Sequence, residues 1–266
     1  SLGSDVPPGS YADMETADVI LLIGANSADN HPILCQRLER NKNHTVIVVD
    51  PRVTKTAMMA DIHLPIKPRG DIALLNGIAH LLIREGHINR DYIERHTTGF
   101  EDFAAFVADF TPQHVAEVTG LSEETIVNTA YLYGTAKAAF IGWTMGVNHS
   151  TQGAATVTAI NNLALITGNI GHAGASPFSI TGQCNAMGTR ESGFTSSLPG
   201  YRKFDNPQDR EDLARIWDID VDRIPTARGL AYPDIIEAAV AGKVKALWFI
   251  ATNPVVSFPN HSVLVQ

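Results

Sequence analysis

The sequence predicts an α/β protein in which a doubly wound, mostly parallel sheet carries a helical insertion and is followed by part of an adjacent α/β domain. Three observations lead there. Two short, continuous apolar runs, Asp18–Gly24 (DVILLIG) and Thr45–Asp50 (TVIVVD), have the make-up of strands buried on both faces. Helical patterns lie between and after them, and such alternation implies parallel strands with helices on both faces. A polar stretch over 171–199, rich in Gly, Ser and Thr, separates this region from a second ordered segment.

Each element follows from local chemistry. The helix after the first strand spans about His31 to Arg40, with Pro32 in its first turn, where a missing N–H costs least. A third strand is expected around Ile62–Ile66. Asp71–Arg84 then repeats apolar residues at helical spacing behind an aspartate able to cap it. From Asn89 to Ala136 the pattern is helical, with starts at Thr111-Pro112 and at Ser122, where Glu123 and Glu124 suit the positive end of a helix. This is the insertion. A further strand, Ala138–Gly142, runs into a glycine-containing loop, and a helix from Thr151 to Ile166 stops at Gly168. Residues 171–199 read as loop. Helices over Gln208–Trp217 and Pro233–Ala241 and a strand over Val244–Ile250 (VKALWFI) complete the chain, giving expected domains of 1–180 and 181–266.

At 266 residues and 44% hydrophobic, the chain can bury a sizeable core, which excludes a disordered protein. Its 20 basic and 28 acidic residues give a formal charge of −8, against nucleic acid or an anionic membrane as the main partner. The longest apolar runs are too short to span a bilayer, and Ser1 to Ser10 lack the basic start and apolar core of a signal peptide. Cys35 and Cys184 form neither a metal pattern nor a disulfide framework, which fits a reducing cytoplasm. The ten histidines show no HExxH, so no protein-ligated metal is expected, and the absence of GxSxG speaks against a hydrolase.

Chemistry concentrates at the strand ends, where open α/β sheets bind ligands. Gly24, Asn26 and Asp29 follow the first strand, and backbone N–H groups there suit a phosphate or simply serve a turn. Asp50, Pro51 and Arg52 follow the second. The acid can accept hydrogen bonds from a ribose hydroxyl or a guanine edge, and the arginine can meet phosphate. Two matched strand ends make a nucleotide cleft the better reading than an ordinary turn. Lys67, Gly70 and Asp71 begin the next helix, either as ligand contacts or as a solvated cap. In the loop from Gly142 to His149, Trp143 and Met145 read as packing residues, whereas Asn148 and His149 are better suited to touch a ligand. The loop from Thr181 to Glu191 gathers carboxamides, hydroxyls and glycines. Its Cys184 reads as a small buried thiol rather than a nucleophile.

Together these motifs resemble the molybdopterin oxidoreductase family of dimethyl sulfoxide reductase type. The matching residues are Ile23–Asn26 with His31-Pro32, Val48–Arg52, Ala60–Leu64 with Lys67–His80, Gly142–Gly153 and Asn162–Gly174, in family order over nearly the whole chain. The resemblance implies a Rossmann-like domain and bis-molybdopterin guanine dinucleotide carrying molybdenum. Gly24, Asn26, Asp29, Asp50, Pro51, Arg52, Lys67, Gly70 and Asp71 would line one dinucleotide. Gly146, Asn148, Gln183 and Thr252-Asn253-Pro254 would approach the cofactor from other sides.

Within the family, the stretch from Ser179 to Glu191 and Leu198–Arg202 resembles assimilatory nitrate reductase. Formate dehydrogenases typically carry arginine where this chain has Thr181. The resemblance implies nitrate as substrate, with Arg190, Thr181 and Gln183 at the reaction centre, and an electron donor such as ferredoxin, flavodoxin or a reductase subunit. Arg190 steers the anion because a guanidinium matches planar oxyanion geometry, or it is held in a salt bridge of the loop. A molybdenum-ligating cysteine and the ligands of a [4Fe–4S] cluster are expected before Ser1. The chain is therefore expected to be a central fragment, inactive alone and binding no cofactor by itself. A formate dehydrogenase, a periplasmic nitrate reductase and a non-catalytic nucleotide-binding module are the rival readings.

Overall fold

The computed structural model describes residues 6–194, 196–258 and 260–264. The chain forms two compact units, Ser1–Cys184 and Asn185–Gln266. The first is built on five strands: β1 (Val19–Ile23), β2 (Thr45–Val49), β3 (Ile62–Leu64), β4 (Ala139–Trp143) and β5 (Ser176–Ser179). They run in the order β3-β2-β1-β4-β5, and every pairing is parallel. From β1 the chain builds outward to β3 and then returns to lay β4 on the other side of β1. The order therefore reverses between β1 and β4, the position where such sheets open a ligand crevice at their carboxyl ends.

Strand periodicity divides the core. All five residues of β1 are buried, as its unbroken apolar run predicts. Val19, Leu21 and Ile23 point to one face with Ile47, Val49, Ile141 and Trp143. That face is covered by α4 (Asp71–Glu85), α8 (Glu123–Thr135) and α10 (Gly153–Thr167), whose Leu74, Ile78, Ile126, Ala130, Ile160 and Leu163 join the same cluster. Ile20, Leu22, Val46, Val48 and Phe140 point the other way, onto Leu34 and Leu38 of α2 (Pro32–Arg40) and Ala57 of α3 (Lys55–Met58). The one-turn α1 (Ser27–Asn30) links β1 to α2. Burial on two faces makes the sheet doubly wound.

The helical insertion consists of α5 (Arg90–His96), α6 (Phe100–Val107) and α7 (Pro112–Thr119), leading into α8. Its caps are the expected ones: Thr111 and Ser122 accept hydrogen bonds from the N–H groups of His114 and Thr125. After β4 come α9 (Met145–Asn148) and α10, which stops at Gly168 with a left-handed φ of 72°.

Two segments depart from expectation. The stretch over 171–199, read as loop, contains β5 and α11 (Ala186–Glu191). Ser176–Ser179 (SPFS) has no apolar run to reveal it. It pairs with β4 alone, on the sheet edge, where the missing N–H of Pro177 is tolerated. The strand expected over Val244–Ile250 is not formed. A strand exists only through a partner, and no ladder forms there among the described residues. Trp248 is 87% and Ile250 68% exposed. The second unit instead holds α11, α12 (Pro207–Trp217), α13 (Tyr232–Val240), α14 (Pro254–Ser257) and α15 (His261–Leu264), with a small core of Leu198, Leu213, Ala214 and Ile224. No helix among the described residues is long and apolar enough to cross a membrane.

Candidate cofactor-binding site

The carboxyl ends of β1 and β4 meet through two glycines. Gly24, at φ 55°, presents its carbonyl to the Thr144 hydroxyl (2.7 Å) and the Gly146 N–H (3.1 Å). A Cβ on Gly24 would strike the Gly146 backbone. Both glycines are therefore required for the close approach of two strand ends. Asn148 is drawn into the same corner, where its carboxamide oxygen accepts from the Trp143 indole N–H at 3.1 Å. Trp143 is buried, as a packing residue should be, but Asn148 already has a partner within the protein.

Asn26 and Asp29 join the first strand end to the second. The Asn26 amide donates to Asp29 (2.8 Å), Lys55 Nζ donates to Asp29 (2.5 Å), and the buried Thr56 hydroxyl donates to Asn26 Oδ1 (3.0 Å). Thr56 also accepts from the Ala28 N–H at 3.0 Å. The Lys55 hydrogen bond, with that of Asn26, holds the Asp29 carboxyl below its ordinary range, and Asp29 in turn raises the Lys55 ammonium. Sequence reading overlooked Lys55 and Thr56. They sit on a one-turn helix without apolar periodicity, and only tertiary folding sets them against the first strand end.

At the second strand end, Asp50 is buried, and its carboxylate accepts from the Arg52 N–H at 2.8 Å. The Arg52 side chain is 76% exposed, with Nε 3.8 Å from Asp50, and Pro51 is exposed in the bend. His63 Nε2 lies 2.8 Å from the Asp50 carbonyl oxygen, which puts a proton on Nε2. Asp71, half-buried at the start of α4, has its carboxyl raised above 3.8 by burial. A backbone hydrogen bond opposes this, and the charge of Asp50 adds to it. Asp50 and Asp71 are thus close enough for one charge to act on the other, and together they offer acceptors for N–H or hydroxyl donors.

Lys67 and Gly70 have other neighbours. Lys67 lies along Gly120, its Nζ 3.4 Å from the Glu117 carbonyl oxygen at the end of α7. A side chain on Gly70 would meet Ile66 and the Lys67 carbonyl. Between them Arg69 takes a left-handed φ of 72°, a strained state for a non-glycine residue.

Thr181 is half-buried, whereas Gly182, Gln183 and Cys184 are exposed at the end of the first unit. The expected burial of Cys184 is not observed, because its polar, glycine-containing surroundings supply no apolar cover. Arg190 lies in the last turn of α11 in the second unit. There too, Asn253 precedes α14, with Thr252 exposed and Pro254 buried. No group of three or more His, Cys, Asp or Glu able to hold a metal occurs among the described residues. A polar cleft of about 480 Å³, lined by Asn89, Arg90, Thr167 and Asn169 among others, opens at the amino end of β4, away from these strand ends.

An all-parallel, doubly wound sheet with glycine-tightened ends at its switch point is the architecture of dinucleotide-binding α/β proteins. The family model for molybdopterin oxidoreductases matches residues 8–266, and the chain belongs to that family. A nitrate reductase of Synechocystis is 44% identical over 98% of this chain and 37% of its own length. A formate dehydrogenase 1 subunit alpha of Methanococcus maripaludis is 36% identical over 98% of the chain and 38% of its own length. Among solved structures, acetylene hydratase from Pelobacter acetylenicus superposes with a TM-score of 0.59 at 28% identity, covering 64% of this chain and 23% of that one. The chain thus spans little more than a third of the curated relatives.

Proposed function

We propose that the chain is the cofactor-embracing central region of a molybdenum nitrate reductase that converts nitrate to nitrite for assimilation in the cytoplasm. The observation carrying this reading is the carboxyl edge of the sheet within a member of the molybdopterin oxidoreductase family. Buried polar atoms there lack protein partners: Ser27 Oγ and both ring nitrogens of His31. The buried Asp50 carboxylate stands beside the exposed Arg52, and its charge acts on the half-buried Asp71. Such a donor and acceptor set fits a polar heterocycle joined to phosphates, as in a molybdopterin guanine dinucleotide.

The residues divide the work by chemistry. Asp50 and Asp71 accept from guanine N–H or ribose hydroxyl groups, and Arg52 meets phosphate. Gly24 and Gly146 bring the strand ends close enough to form one crevice floor. Asn26 and Asp29, held by Thr56 and Lys55, keep the first turn in shape. The family resemblance assigns Gln183 and the Thr252–Pro254 turn to the cofactor, and Arg190 and Thr181 to nitrate. When bound, the molybdenum cofactor supplies two-electron oxygen-transfer chemistry, fed through a [4Fe–4S] cluster by a donor such as ferredoxin, flavodoxin or a reductase subunit.

Assaying the full-length protein with a viologen reductant and nitrate, and separately with formate and an acceptor, tests the reading. Nitrite production without formate oxidation is expected. Formate oxidation alone assigns the protein to the rival branch and overturns nitrate, and absence of pterin from the purified protein overturns the cofactor.

A further inference from the structure

His31 stands out at the same edge, and none of the sequence motifs assigns its side chain a task. It joins α1 to α2. Its N–H donates to the Ser27 carbonyl and its own carbonyl accepts from the Cys35 N–H, both at 2.9 Å, so the backbone is satisfied and the residue fixed. The ring is different. Nδ1 and Nε2 are both buried and both lack a hydrogen-bond partner. Four residues earlier, the Ser27 hydroxyl is fully buried and equally unpartnered. Gly182 packs against the ring, and a Cβ there would stand 3.3 Å from Nε2.

An imidazole left with two buried, unpaired nitrogens forfeits the hydrogen bonds both would make in water, a cost an apolar side chain in the same space would not carry. We propose that His31 is a binding residue for the uncharged donor and acceptor groups of a bound heterocycle, the pterin or guanine portion of the cofactor, with no side chain at Gly182 to compete for Nε2. The inference rests on the functional reading above. The chemistry selects the heterocycle over the phosphates. A neutral imidazole offers one N–H and one lone pair on opposite sides of its ring, so one nitrogen can serve a heterocycle carbonyl or ring nitrogen and the other an N–H donor. A phosphate offers acceptors only and could satisfy both ring nitrogens only if the ring were charged. Burial lowers the His31 pKa and so disfavours that form.

The test compares the full-length parent protein with H31L and H31Q. Two quantities are read: pterin retained per chain after prolonged dialysis, by fluorescence of the oxidised pterin, and the melting temperature of the cofactor-free protein. H31L is expected to lose cofactor about tenfold faster, the equivalent of one buried hydrogen bond. Its cofactor-free form is expected to melt no lower than the parent, because unpaired polar atoms have been removed. H31Q, whose amide restores a donor and an acceptor, is expected to recover retention. Pterin held equally by H31L and the parent would show that buried water serves the ring, and overturns this inference alone. A lower melting temperature in cofactor-free H31L, with retention not recovered in H31Q, reduces His31 to a packing role and also overturns it. A parent protein without pterin overturns both the functional reading and the inference.

Discussion

Gly24 and Gly146 are packed backbone to backbone: a Cβ on Gly146 would stand 2.5 Å from the Gly24 Cα, and one on Gly24 would stand 2.8 Å from the Gly146 Cα. The contact pins β4 to β1 at the point where strand order reverses. G146A must therefore force these strand ends apart, and it is expected to destabilise the protein by about 1–3 kcal/mol, as overpacking does. G171A is the comparison, since Gly171 has a left-handed φ of 81° but nothing within 4 Å of its Cβ position. It should show only the backbone penalty of about 1 kcal/mol. Denaturant unfolding of both variants checks the difference, and equal losses would refute the packing argument.

Thr56 and Lys55 adjoin in sequence but differ in consequence. Thr56 is 3% exposed and bridges Asn26 to the Ala28 N–H. T56V strands two polar groups and is expected to cost about 1–3 kcal/mol. K55A removes an ion pair at the surface and should leave the melting temperature nearly unchanged, with any small effect fading in high salt. A larger loss in K55A than in T56V would reverse the assignment.

The pH dependence of the Asp29–Lys55 pair has a definite sign. Asp29 titrates below 3.8 in the folded protein, so its contribution is present above that value and is lost as pH falls through the lower folded-state value. D29N should flatten the acid limb of a stability profile in that window. An unaltered limb counts against the pair.

Asp71 has the opposite sign. Its folded-state pKa is raised above 3.8, so its contribution is present below that value and is lost as pH rises through the higher folded-state value. D71N should thus be more stable than the parent at neutral pH when cofactor-free, yet hold guanine nucleotide more weakly. Melting curves across pH and a nucleotide titration measure the two effects, and a neutral-pH loss of stability would contradict the first.

On the proposed reading of Arg190 as the nitrate-orienting residue, R190K in the full-length protein is expected to lower kcat/KM for nitrate about tenfold or more, because an ammonium cannot reproduce a planar two-donor contact. Cofactor content should stay at the parent level. Loss of cofactor together with activity would mark Arg190 as structural.

Much of the fold was legible because its code is local. The apolar runs ending at Gly24 and Asp50 announced strands buried on both faces, Thr111 and Ser122 announced helix starts, and Gly168 announced a stop. Alternation of strand and helix then implied parallel pairing. β5 escaped notice because Ser176–Ser179 owes its form to one backbone neighbour and not to its side chains. Val244–Ile250 misled for the converse reason, having the composition of a strand without a partner to make it one.

The site divides along the same line. Residue types at strand ends, such as Asp50, Arg52 and Asp71, could be read from the chain, since strand ends in an open α/β sheet share one edge whatever their separation in sequence. Strand order, the Gly24–Gly146 contact, the tie from Thr56 to Asn26 and the unpaired ring of His31 were decided only by tertiary structure. Each depends on residues far apart in sequence, or on the lack of a hydrogen-bond partner, and no local pattern encodes either.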